Sequence, residues 1–450
     1  MFFFIYFSSL IYLERGPAFC YNNMHHYELC VVGAGVAGLY AAYEWRKRNP
    51  AQSVIVLEAG ERAGGRLAMA RFGGTDVLLG AGIGRSEKDA RLTRLLRELH
   101  VHAHVFERHV AYGPGVAPVN EAHIQELKDA VGAMGPAMGT GDALTFGDFA
   151  RQTLGRPAAD ALIKSMGYTD MVRESAREVM LSYGLDDNYV NIGAAPPHGM
   201  AVNWQDVVKA LVKAIGPRRF LYHTPVVSIS NPNNTEQGYK IVRTPFGPLA
   251  AKQVIVATTL PTLRKLFPRV REYRSIQSQP FLRVYAKFPM SVRPIIASAC
   301  QVYTVVKPPL QKIIPMNAEK GVYMIAYSDN TYADRLEAFS ESTPANCKHF
   351  ARLVERALGL PKMSLSISSI RAKYWDVGTH FVKPGGGADS GNGGAASGQG
   401  GAASGQGGAD AFFERCRHPT PGVLVVGEVV SQHHRGWVEG ALESVDAVMA

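Results

Sequence analysis

Three glycines, Gly33, Gly35 and Gly38, stand at GxGxxG spacing between an apolar run and a helix-like one, and this pattern constrains the fold more tightly than any other stretch. Tyr27–Val32 (YELCVV) reads as a buried strand, and LYAAYEWRKR after Gly38 carries small and apolar residues on one helical face. Gly33 permits a tight turn, Gly35 lets the backbone approach a pyrophosphate, and Gly38 lets the helix pack close to the strand. The segment Gly33, Ala34, Gly35, Val36, Ala37, Gly38 therefore presents a helix N-terminus, with free N–H groups and the positive dipole end, to phosphates. A second strand, Ser53–Leu57, ends in Glu58 and Ala59, about 20 residues on, where an acid can bind a ribose hydroxyl. A strand, glycine turn, helix and acid in this order make an α/β, Rossmann-like dinucleotide unit.

The rest of the chain must supply more than that unit. With 450 residues and 46% hydrophobic content, it can bury a large core in two or three domains. The net charge of +10 is spread thinly, with no dense basic run interleaved with aromatics, so nucleic acid is not an expected partner. Five cysteines (Cys20, Cys30, Cys300, Cys347, Cys416) lie far apart without metal spacing, which fits a reduced, cytoplasmic compartment and no metal. Met1–Leu13 is apolar but too short to span a bilayer comfortably and lacks a basic n-region. Residues 1–26 read as a leader or upstream extension outside the fold; a signal, which would allow secretion, and an anchor are the alternatives. No later segment is long and apolar enough to span a membrane.

Residues 87–201 have helical spacing and few strand signals, and short β-rich runs begin near Phe220 (PVVSIS, YKIVRTP, KQVIVAT). Strand-like stretches follow at Leu282–Phe288 and Val322–Tyr327, a helix near Cys347–Leu358, and a last strand at Val423–Val426 before a final helix. Residues 384–411 are mostly Gly, Ala, Ser, Asn and Gln and include two copies of GGAASGQ. That composition buries too little apolar surface to offset its ordering entropy and reads as a flexible insert.

GxGxxG alone does not separate FAD from NAD. Glu58–Arg66 reads EAGERAGGR, and Gly64-Gly65-Arg66 is where the chain resembles the flavin-containing amine oxidase superfamily, which holds monoamine, polyamine and L-amino-acid oxidases and histone-lysine demethylases. The C-terminus resembles the same family: Gly427-Glu428 closes the last strand, and Gly436–Ala441 reads GWVEGA, with Gly436, Trp437, Val438 and Ala441 at the start of the last helix. The resemblance implies non-covalent FAD, with Gly65 and Arg66 at its phosphates and Glu428 by the ribityl and pyrophosphate. Gly80, Ala81 and Gly82 would lie under the isoalloxazine, Val227 would meet the adenine through its backbone, and the last helix would aim at the pyrimidine edge. The resemblance covers most of 27–450 and thins through the helical stretch and the insert.

At the reacting centre the resemblance loosens. Many family members hold a water near flavin N5 with a lysine, and in PFLRVYAKF that position falls on Arg283, with Lys287 a nearby alternative. Arginine does not deprotonate and is bulkier. Of the two aromatic rings expected before the flavin, Trp437 supplies one. In WDVGTHF the second position falls on His380, and Thr379 stands where monoamine oxidases carry a flavin-linked cysteine. His433 and His434 read as loop residues. The implied fold is a discontinuous Rossmann-like FAD-binding domain (27–85, 201–268, 422–450) with an α+β substrate domain (86–200, 269–383). The implied activity is oxidation of a small-molecule amine, with oxygen as acceptor. The alternatives are a flavin dehydrogenase or desaturase of the superfamily, or a flavin-binding scaffold without turnover.

Overall fold

A computed structural model describes residues 24–134, 144–183, 198–231, 238–385 and 406–449. In chain order, the site rests on strands β1 (His26–Val32), β2 (Val54–Leu57), β3 (Gly247–Val256), β4 (Ile276–Lys287), β5 (Val322–Asp329), β6 (Ser369–Val382) and β7 (Val423–Val425). Its helices are α1 (Val36–Arg48), α2 (Ala90–Glu98), α3 (Trp204–Ile215), α4 (Gln406–Arg417) and α5 (Val438–Met449).

β1 lies at the middle of the first sheet, parallel to β2 on one side and to β3 on the other; β3 pairs in parallel with β7, so the last strand returns beside the first unit. Residues of β1 alternate between two cores. Leu29 and Val31 face one that takes in α1, α3 and α5; Cys30 and Val32 face one that takes in Phe412 and Phe413 of α4. A strand covered on both faces needs an unbroken apolar run, which is why YELCVV carries no polar alternation at its inner end.

In the second sheet β4 lies between edge strand β6 and β5, antiparallel to both, and the far side ends in a parallel pairing of Tyr303–Val305 with Val110–Tyr112. Leu282, Val284 and Ala286 of β4 pack on Phe350 and Val354 of the Pro344–Leu358 helix, which covers one face. The other face looks toward the first sheet across the cavity described below.

Three placements differ from the sequence reading. The 87–201 stretch contains helices at Glu121–Met134, Phe146–Leu154 and Arg156–Met166, but also strands Ala103–Glu107, Val110–Tyr112 and His198–Val202. The first two consist of exposed or half-buried residues and none of the three alternates cleanly, so the period-2 signal was weak. Helix α2, expected with the substrate half, buries Leu92, Leu95 and Leu96 in the core of α1 and α5. Helix α4 begins at Gln406, inside the expected insert, because the Phe412-Phe413 pair anchors it; residues 386–405 lie outside the described residues. The N-terminal segment up to residue 23 lies outside them too, and no helix among the described residues is long and apolar enough to cross a membrane.

The GxGxxG turn is built as its spacing requires. Gly33 has φ +99°, and a Cβ there would come within 2.4 Å of the Ala257 carbonyl at the end of β3. A Cβ on Gly38 would collide with the Gly33 carbonyl itself. Gly38→Val should therefore destabilise the fold by roughly 1–3 kcal/mol, as overpacking does. A lower urea midpoint with an unchanged slope is the expected reading.

Candidate functional site: a cleft between the two sheets

One cavity of about 1630 Å³ runs from the GxGxxG turn to the second sheet. Single small-molecule sites span roughly 300–1000 Å³, so this space suits a large ligand together with a smaller one. The expected cofactor residues border it except Ala34 and Gly38, which are buried beneath it.

At its outer end, helix α1 starts from Gly35 with no side chain capping it and no acid in its first turn. Gly35 itself has an ordinary φ of −69°, and a Cβ there would meet nothing within 4 Å. Protein packing does not call for glycine at this position; a ligand lying against the helix start would. Glu58 ends β2 at the same place. Its carboxylate accepts the Ala34 N–H at 2.7 Å and the Gly60 N–H at 2.8 Å, which fixes it at the cavity edge with lone pairs left for hydroxyl donors. Val227 also borders the cavity, but its N–H is donated to the Arg243 carbonyl, which leaves its carbonyl as the group for a ligand contact. These features fit a dinucleotide: free amides for a pyrophosphate, an acid for a ribose, and an open backbone edge for a base.

The middle of the cavity is set by Glu428, which is 5% exposed. Its Oε1 accepts from Arg66 Nη1 at 2.7 Å and lies 2.5 Å from His380 Nδ1, while Oε2 accepts the Gly436 N–H at 3.2 Å. Arg66 also donates to the Gly378 carbonyl at 2.6 Å. The Leu260 N–H points at His380 Nε2, 3.4 Å away, so the proton sits on Nδ1 and is donated to Glu428. Burial opposes the charge on Glu428, but His380 and Arg66 outweigh it and hold the carboxyl well below the usual range. This arrangement changes two expectations. Arg66 spends donors on protein groups rather than pointing wholly at phosphates. His380, 3% exposed, does not border the cavity and is a brace rather than a second aromatic wall.

The reason lies in the strand. The pairing of β6 with β4 is irregular opposite Gln279–Phe281, and Trp375–Thr379 all border the cavity; at His380 the side chain turns instead to Glu428 and the Leu260 N–H. The aromatic surface on that strand is Trp375, whose indole N–H donates to the Leu79 carbonyl at 2.7 Å. Trp375 is the first residue of the WDVGTHF segment.

Trp437 does border the cavity, its ring covered by the Arg85 guanidinium 4.1 Å from the ring centre. Arg85 is itself held by Asp89. Gly80 has no room for a side chain, because a Cβ would collide with the Arg66 carbonyl, to which the Ala81 N–H donates at 2.9 Å. Trp204 fixes the Gly82 carbonyl from behind at 2.8 Å. Arg283 is buried next to this segment, donating to the Leu78 carbonyl at 3.0 Å and lying 4.4 Å from the centre of the Tyr327 ring. Lys287 is elsewhere, donating to the carbonyls of Gly73 and Lys320, and does not border the cavity. His433 and His434 lie in the loop before α5, with His434 Nδ1 3.4 Å from Arg85. Sequence reasoning also missed Arg108, Tyr168, Tyr303 and Tyr327 at the inner end. They come from four separate segments and form no motif.

Residues 31–99 match the family model described as an NAD(P)-binding Rossmann-like domain. Over nearly the whole chain the fold is also that of solved amine oxidases. Putrescine oxidase with putrescine bound is 16% identical, with a TM-score of 0.67 over 94% of this chain and 98% of its own. Cyclohexylamine oxidase from Brevibacterium oxydans is 18% identical, with a TM-score of 0.69 over 94% and 97%. A protein from Exiguobacterium sp. described as a protoporphyrinogen oxidase is 15% identical, with a TM-score of 0.63 over 95% and 99%. At these identities the shared property is the fold.

Glu428→Gln keeps an acceptor oxygen but removes the charge that half-buried Arg66 and buried His380 face, and is expected to cost roughly 1–3 kcal/mol. The folded carboxyl titrates below its unfolded value near 4.3, so its contribution is complete above that pH and is lost as pH falls toward the folded value. Urea midpoints measured across acid pH should fall steeply for the unaltered protein and less steeply for the variant.

Proposed function

We propose that the chain is a FAD-dependent oxidoreductase that oxidises a small-molecule amine, with oxygen as the electron acceptor. The observation that carries the cofactor part is Gly35, a glycine that the protein's own packing leaves unexplained at an uncapped helix start bordering the cavity. The fold shared with putrescine oxidase and cyclohexylamine oxidase supports the amine part.

On this reading the amides of Gly35, Val36 and Ala37 bind the pyrophosphate, Glu58 the ribose and the Val227 carbonyl the adenine. The backbone of Gly80–Gly82 and the positive end of α5 at Gly436–Val438 would hold the flavin ring. Bound FAD would supply the redox chemistry, accepting a hydride equivalent from the amine and passing its electrons to oxygen. The protein orients the amine and limits water. Trp437 and Trp375 wall the approach, and Arg283 holds the Leu78–Ala81 backbone in place from beneath. Thr379 stands at the cavity edge without a thiol, its hydroxyl accepting from Gln279 at 3.0 Å, so the cofactor is held non-covalently. The released imine hydrolyses in water.

A dehydrogenase acting on a more apolar substrate is the second reading. Arg283 in the lysine position and the fold shared with the Exiguobacterium protein favour it. Dye-linked turnover without oxygen consumption would select it.

Two variants test the assignment. Gly35→Val adds a side chain into open space, so the apoprotein should melt within about two degrees of the unaltered chain. FAD affinity should nevertheless fall at least about tenfold, a loss of about 1.4 kcal/mol. Equal FAD binding would remove the pyrophosphate assignment. Trp437→Ala should keep FAD but slow flavin reduction by on the order of 100-fold, the cost of a slipped reacting geometry. Peroxide release in an amine screen reads out the activity itself, and unchanged reduction in Trp437→Ala would remove the wall.

A further inference from the structure

The inner end of the cavity is unlike a site for a simple cationic diamine. Arg108, between the strands Ala103–Glu107 and Val110–Tyr112, borders it. Its Nε is buried without a hydrogen-bond partner, and among the described residues no carboxylate forms an ion pair with it. Burial pushes its guanidinium below the usual arginine range; Tyr303, Tyr168 and Glu87 pull the other way, and Arg85 adds repulsion. Arg108 as a whole is half-buried, but desolvating its Nε without a partner is costly, and a bound anion would offset that cost.

The neighbouring charges do not neutralise it. Arg283, 4% exposed, borders the same space and donates to backbone carbonyls rather than to an acid. Asp170 is the buried acid at this end. Burial first, then Asp329, raises its carboxyl to about 7, so it is no fixed negative charge at neutral pH. Asp329 nearby is occupied by the Thr169 N–H and hydroxyl and by Gln311. The remaining carboxylates on the border are exposed at Glu61, Asp76, Glu107 and Asp376, or already engaged at Glu58 and Glu428.

We propose that Arg108 binds a carboxylate on the substrate, so that this site takes a carboxylated amine in preference to a diamine. The proposal rests on the amine-oxidase reading for the amine and on Arg108 for the acid. The guanidinium fork matches a carboxylate in geometry as well as charge. Tyr168, Tyr303 and Trp375 give the same end an aromatic lining, which suits an aromatic carboxylate as a probe.

The test is calorimetric titration of the FAD-loaded protein with benzoate and, separately, with benzylamine. Benzoate should bind at least tenfold more tightly than benzylamine. Arg108→Met should weaken benzoate by tenfold or more, leave benzylamine within twofold, and retain FAD by its visible spectrum. Arg108→Lys should recover part of the benzoate affinity. Equal or tighter binding of benzylamine to the unaltered protein would overturn the proposal, as would benzoate binding within twofold in a folded Arg108→Met. Should Arg108→Met fail to fold, the benzoate–benzylamine preference and Arg108→Lys decide. Neither titration needs turnover, so a protein that binds benzoate through Arg108 yet oxidises no amine would count against the activity reading alone.

Discussion

One carboxylate holds the cleft together. Glu428 accepts from the Gly-Gly-Arg turn through Arg66, from β6 through His380, and from the approach to α5 through the Gly436 N–H. Those three parts are more than 300 residues apart along the chain in the case of Arg66 and Glu428, yet each forms part of the cavity wall. A buried charge is tolerable only when its partners are in place, so the cluster forms completely or not at all. The final strand and helix therefore complete a site begun by the first strand, and the Gly427 N–H donating to Ser444 fixes β7 onto α5 in the same way.

Around that node, rigidity is graded by what each half must do. The dinucleotide end is made of backbone: Gly33, Gly38 and Gly80 have no space for a side chain, and close approach of chain to chain sets the geometry. The inner end is made of side chains, several of them ionisable and buried. Lys312, fully buried, is pushed down to about 7 mainly by burial, though Asp329 and Asp170 pull upward, and its Nζ lies 4.7 Å from the centre of the Tyr327 ring. Because the frame is set by backbone and the chamber by side chains, a fold of this kind can serve different substrates.

What could be read in the sequence follows the same division. Backbone requirements leave glycines at fixed spacing, so the GxGxxG turn, the Gly-Gly-Arg turn and the GWVEGA helix start were all legible, as was the buried strand before the first. Side-chain positions on β6 were legible only with the register, because an irregular pairing opposite Gln279–Phe281 sets which of Trp375–His380 reach the cavity. Arg108, Tyr168, Tyr303 and Tyr327 meet only because the second sheet brings four segments together. No local pattern encodes such a meeting. Helix α4 was hidden by its composition, since its first residues continue the glycine-rich run and only Phe412 and Phe413 betray a buried face.

The central claim is that this cleft binds FAD and uses it to oxidise an amine. The most direct test is an anaerobic titration of the FAD-loaded protein with a panel of amines, carboxylated amines among them, followed in the flavin's visible band. The account predicts bleaching by at least one amine, recovery of the band when air is admitted, and release of the flavin into the supernatant on acid precipitation. A protein that binds no FAD, or one whose bound FAD no amine bleaches, would contradict it.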